Sequence, residues 1–110
     1  MYKQGEIIIV PFPFSDLSSI KQRPVLVLSK NVDNEKVEDI ITCGITSNIK
    51  DPKYSVLIET KNLIEGEIPK PSRAKVDKLF TISQDIVKKK VGRINKETFE
   101  KVKVEFAKLV

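Results

Sequence analysis

Ile7-Ile8-Ile9-Val10 is an unbroken run of β-branched apolar residues, followed at once by Pro11-Phe12-Pro13-Phe14. Such a run stiffens into a strand and, having no polar residue to turn toward water, is expected to be covered on both faces. A second run, Val25-Leu26-Val27-Leu28, starts at the step Arg23-Pro24. Pro24 biases Arg23 toward extended backbone at the mouth of that strand. A long cation is thereby held where a loop meets a rigid element, which is where sites tend to sit. Residues 11–22 carry two prolines and three serines and are expected to be a long loop between the two strands.

The chain continues in short strands separated by turn signals. Asn31 to Lys36, with Asp33-Asn34, reads as a turn. Asp39 to Thr46 is a third strand, ending in Thr46-Ser47-Asn48. Asp51-Pro52 breaks the pattern, and Tyr54 to Glu59 is a fourth strand. Gly66 to Pro71 reads as a loop. From Ser72 to Thr81, Ala74, Val76 and Leu79 are interleaved with Arg73, Lys75 and Asp77, as in a strand. Ser83 to Ile86 reads as one helical turn. The end is helical: Asn95 is a good N-cap, Ile94 and Phe99 suit a hydrophobic staple, and Phe99, Val102, Phe106 and Leu109 make one apolar stripe. The expectation is a mainly β fold with a C-terminal α-helix, a small β-barrel. At 110 residues it is expected to be one domain, 1–110.

Charge is uneven. Residues 86–110 hold 8 Lys/Arg against 3 Asp/Glu, which accounts for the whole net +5. That excess suits either a phosphate-attracting surface or a solvated helix face beside an edge strand guarded by Lys88, Lys89 and Lys90. No apolar run approaches the ~20 residues of a membrane span, so no membrane association is expected. The single cysteine, Cys43, allows no intrachain disulfide, sits in an apolar strand and is expected to be buried and inert. A cytoplasmic address follows as the default.

The residue inventory narrows the chemistry. With no histidine there is no Ser-His-Asp or Cys-His arrangement, and with one cysteine there is no ordinary zinc site. The four glycines stand far apart, so there is no Gly-rich phosphate loop. Acidic residues lie singly or in turns, and no cofactor or metal is expected. What remains is Arg23 at a strand start and Thr46-Ser47 at a strand end. A guanidinium with one or two hydroxyls is a phosphate-binding set. RNA is a substrate for which this suffices, because its own 2′-hydroxyl is the nucleophile and the protein need only position the phosphate and neutralise charge.

In order and spacing these segments resemble the PemK/MazF-like toxins, the ribonuclease halves of toxin–antitoxin pairs. The resemblance rests on Gly5 to Leu17, on Lys21-Gln22-Arg23-Pro24 to Ser29, on Ile45-Thr46-Ser47, on Ser72 to Ile82, and on Val91 to Ile94 with the last helix. It implies an SH3-like barrel of the PemK/MazF/CcdB toxin type that forms a homodimer. It implies a metal-independent endoribonuclease cutting single-stranded RNA to leave 2′,3′-cyclic phosphate and 5′-hydroxyl ends, and an acidic antitoxin that blocks the RNA groove. Arg23, Thr46 and Ser47 carry over as catalytic residues. Phe14, Ser15, Lys21, Gln22, Asn48, Arg73 and Lys75 are the expected RNA contacts. Many relatives have two basic residues before the proline, whereas here Gln22 precedes Arg23. Two rival activities suit the same chain: a gyrase-poisoning toxin of the same fold acting through its C-terminal helix, and a non-catalytic small-barrel RNA binder, which should carry a basic barrel face.

Overall fold

In the computed structural model, which describes residues 1–13 and 20–110, the first apolar run lies in β1 (Glu6–Pro13). β1 pairs antiparallel with β2 (Ile20–Val27) on one side and β7 (Lys89–Ile94) on the other. β2 already starts at Ile20, so Arg23 lies inside a strand, paired with Val10, rather than at its mouth as the sequence suggests. β1 itself runs past Val10 through both prolines. The reason is local. Ile9 offers its carbonyl to Lys88 on the β7 side, and β7 pairing stops there. Pro11 and Pro13, two and four residues on, face their missing N–H groups to that vacated edge, where a ladder loses nothing.

The remaining strands are β3 (Asp39–Thr46), β4 (Ser55–Ile58), β5 (Leu63–Gly66) and β6 (Ser72–Ser83). Together they make one curled seven-stranded antiparallel sheet in the order β4-β6-β3-β2-β1-β7-β5. One face buries Ile7, Leu26, Cys43, Ile58, Ala74 and Val76; the other buries Ile8, Val10, Val25, Val27, Ile40 and Ile82. That alternation is why the Ile7–Val10 run has no polar position. The first face is the barrel interior, and the C-terminal helix α2 (Lys96–Leu109) packs over it on β4 and β6, inserting Val102.

The start of α2 is held as the sequence indicates. The Asn95 side chain accepts a hydrogen bond from the Thr98 N–H at 2.7 Å, with Ile94 buried and Phe99 half-buried in one cluster beside it. Replacing Asn95 by alanine should lower stability by about 1 kcal/mol. A urea midpoint that did not move would mean the cap contributes nothing.

Three further elements differ from the sequence expectation. Asn31–Lys36 is a short helix, α1, rather than a turn. Its Asn34 is buried, with its amide donating to the carbonyls of Tyr2 (3.0 Å) and Ser29 (3.1 Å) and its oxygen accepting from the Ser29 hydroxyl (2.6 Å). These tertiary bonds override the turn preference of Asp-Asn. β5 was not legible; it exists because Gly66 (φ +74°) and Gly92 let two backbones approach so closely that a Cβ on either would meet the opposite carbonyl. Finally, the lysine strand β7 is no edge. It lies between β1 and β5, and Lys90 bridges Glu6 (3.2 Å) and Glu65 (2.7 Å). The edges are β4 and β5. Gln84–Ile86 forms the expected single turn, with the Ser83 hydroxyl capping Asp85 N–H. No described helix is long and apolar enough to cross a membrane.

Candidate active site

Pro24 opens the site. The Leu28 N–H donates to the Ile41 carbonyl at 2.8 Å, so alternate residues of β2 address β3, and Pro24 falls where a bond to Ile45 would come next. Having no N–H, it cannot make one. The β2–β3 ladder accordingly ends at Val25↔Gly44. Continued by two residues, the same register sets Arg23 opposite Thr46, and Thr46 is itself paired with Arg73 on β6. One row on one face thus reads Arg23, Thr46, Arg73. With strands ~4.8 Å apart, the two arginine backbones flank the threonine roughly 10 Å from each other.

Two hollows open where the ladder stops. Arg23, Pro24, Ile45 and Thr46 form the wall between them and line both. The first, about 350 Å³, is backed by Ile9, Ile58 and Ile68 and rimmed by Ser47, Lys70 and Ser72. The second, about 280 Å³, is lined by Phe12, Gly44, Lys75, Lys78 and Phe80. Arg23 and Thr46, separated by 22 residues of chain, therefore meet at one concave rim.

Neighbouring bonds set the orientation of the polar groups. The Thr46 hydroxyl oxygen accepts from Asn48 N–H at 3.1 Å, which leaves its own proton to give. Asn48 Oδ1 accepts in turn from Lys50 N–H at 3.3 Å, so this side chain shapes the turn after β3. Arg73 donates through Nε to the Ile49 carbonyl (2.8 Å) and through Nη1 to the Ser55 hydroxyl (3.3 Å), tying that turn to the sheet. Ser47 is exposed on the rim.

Other expected contacts are distributed differently. Lys21 and Gln22 are exposed on β2 opposite Phe12 and Pro11 and line neither hollow. Lys75 is buried. Its ammonium donates to the Lys53 carbonyl at 2.8 Å and pairs with Asp51 (3.4 Å) and Asp77 (3.8 Å). The Lys53 N–H and the Lys75 charge hold the Asp51 carboxyl below the usual range, so it stays ionised. Phe14 and Ser15 lie outside the described residues. Lys70 lines the first hollow, and Lys78 and Phe80 the second, although no motif in the sequence marks them.

Cys43 is fully buried under β2 and β6, and burial, with the charge of Asp77, pushes its thiol up to about 12. It is no nucleophile at neutral pH. Among the described residues no group of three or more His, Cys, Asp or Glu is placed to hold a metal ion.

The family described as "PemK-like, MazF-like toxin of type II toxin-antitoxin system" matches residues 3–110. No curated protein matches the chain by sequence. Several solved structures share the fold. An endoribonuclease from a Mycobacterial species, in complex with its cognate antitoxin, superposes with a TM-score of 0.81 at 16% identity, covering 98% of this chain and 93% of that one. Mycobacterium tuberculosis toxin MazF-mt6 gives 0.75 at 19% identity, over 94% and 93%. MazE–MazF from Deinococcus radiodurans gives 0.79 at 16% identity, over 98% and 94%. At these identities the likeness is one of fold.

Proposed function

Because this chain belongs to the PemK-like, MazF-like toxins of type II toxin–antitoxin systems, we propose that it is a metal-independent endoribonuclease acting on single-stranded RNA in the cytoplasm. The observation that carries this reading is the meeting of Arg23 and Thr46 across the end of the β2–β3 ladder, on the wall shared by two hollows. A phosphate held there meets a guanidinium and a hydroxyl together.

In the proposed reaction the 2′-oxygen of the RNA attacks the adjacent phosphorus, and the bond to the 5′-oxygen of the next nucleotide breaks. The 2′-hydroxyl proton is lost and the leaving oxygen gains one, giving a 2′,3′-cyclic phosphate and a 5′-hydroxyl. Arg23 neutralises the charge that builds on the non-bridging oxygens. Thr46 donates to the same phosphate, its orientation fixed by Asn48 N–H. Ser47 offers a second hydroxyl from the rim. Guanidinium hardly deprotonates, so Arg23 acts by charge and geometry rather than as a base. Lys21, Gln22 and Arg73 flank this point on the path of the RNA backbone, with Asn48 shaping the turn beside it. Phe14 and Ser15 complete the proposed contacts from the β1–β2 connection. Lys75 acts through the rim it holds together.

The proposal extends to a homodimer that takes up an acidic antitoxin, as the Mycobacterial and Deinococcus relatives were solved with antitoxin. Ile41 and Leu79 are exposed apolar residues, which such an interface would cover. The net +5 attracts an acidic segment and RNA alike, so antitoxin binding should block cleavage.

Purified protein incubated with a long single-stranded RNA in EDTA tests the activity. Cleavage should proceed undiminished, and the new 5′ ends should accept phosphate from a kinase without prior dephosphorylation. Activity lost in EDTA and restored by Mg²⁺ would refute the mechanism. Intact RNA, with gyrase trapped on DNA instead, would favour the gyrase-poisoning alternative.

A further inference from the structure

We propose that Phe80, braced by Phe12, is a stacking platform for one RNA base beside the phosphate held by Arg23 and Thr46; the inference rests on the ribonuclease reading above. Phe12 leaves β1 opposite Lys21, and Phe80 leaves β6 opposite Thr42. β2 and β3 lie between those strands. Even so, the ring centroids are 4.8 Å apart, with the planes inclined at 47°. The curl of the sheet brings them together, and the Phe80 ring lies over Gly44, at ordinary contact distance (3.5 Å) from where a Cβ at residue 44 would stand.

The two rings serve different ends. Phe12 is half-buried and packs against the cluster of Ile8, Val10 and Val25. Phe80 is 37% exposed and adds to neither core cluster. It closes one side of the 280 Å³ hollow, with Arg23 and Thr46 on the same lining and exposed Lys78 beside it. An open aromatic face among cations is how proteins grip single-stranded nucleic acid, the charges tracking phosphates and the ring taking a base. The hollow opens at the phosphate position, so the base it takes belongs to a nucleotide adjoining the cut.

The test uses an RNA oligonucleotide made uncleavable by 2′-O-methylation at the mapped cut, titrated by fluorescence anisotropy. Phe80→Leu, which keeps bulk and removes the π face, should weaken binding roughly 10-fold, and Phe80→Trp should restore it. Each nucleotide is then made abasic in turn. One position should cost the wild type the same roughly 10-fold and cost Phe80→Leu almost nothing, a pattern no general loss of fold produces. In the wild type alone, that base's ring protons should move upfield in NMR spectra. RNA that binds Phe80→Leu as tightly as wild type, or abasic costs equal in both proteins, would overturn the platform while leaving the ribonuclease reading in place. RNA cleaved as described above with no upfield-shifted base would do the same. Failure of the wild type to bind or cut any RNA would remove the reading on which the platform rests.

Discussion

Arg23→Ala should lower the single-turnover rate of RNA cleavage by roughly 10²–10³-fold, the usual consequence of removing one preorganised charge-stabilising donor. Pro24 ends the β2–β3 ladder, and Arg23 before it lines the same two hollows that Thr46 lines. Arg23 is exposed, and its removal should change folding stability by no more than ~0.5 kcal/mol. The melting curve should therefore stay in place while the rate collapses. Arg23→Lys should recover little, because a single ammonium cannot replace a planar fork on a phosphate. A variant lacking Arg23 that cuts at the wild-type rate would move the charge-stabilising role elsewhere, with Arg73, paired to Thr46 from the other side, the first residue to test.

Leu26→Ala should do the opposite kind of damage, costing about 2–5 kcal/mol of stability. Leu26 is fully buried at the middle of the sheet, facing Ile7 on β1 and Cys43 on β3, in the cluster that α2 closes with Val102. Truncation removes the transfer gain and leaves a void that two flanking strands, each pinned by its own ladder, cannot collapse to fill. Urea unfolding should show a lower midpoint with an unchanged slope. A loss below ~1 kcal/mol would mean that this face is not the principal core.

Local patterns carried much of this into the sequence. The β-branched run at Ile7, the strand of Asp39 to Thr46 and the cap at Asn95 depend on neighbours within a few residues, and each was legible. The coincidence of Arg23 and Thr46 was legible only as an expectation of strand ends: Thr46 does end β3, but Arg23 stands inside β2, and the β2–β3 register is what brings the two opposite each other. What stayed hidden depends on partners far along the chain. Asn34 is helical because Tyr2 and Ser29 take its side chain. Lys75 turns inward because Asp51, Asp77 and the Lys53 carbonyl surround its ammonium. Phe80 is the clearest case. Between Cys43↔Leu79 and Gly44↔Lys75 the pairing slips, leaving Val76 to Lys78 as extra residues in β6. The slip reverses the alternation: Ala74 and Val76 point into the barrel, Leu79 is exposed, and the ring of Phe80 comes over Gly44. An alternating pattern read from Ser72 onward cannot register a bulge.

In the proposed reaction the chain supplies charge and position while the RNA supplies the nucleophile. The most direct test replaces a single 2′-hydroxyl by hydrogen at the nucleotide 5′ to a mapped cut, with the rest of the RNA unchanged. Cleavage at that bond should stop while binding holds to within a few-fold. Cleavage continuing at the deoxy position would show that water or a protein group attacks instead, and would contradict the mechanism built on Arg23 and Thr46.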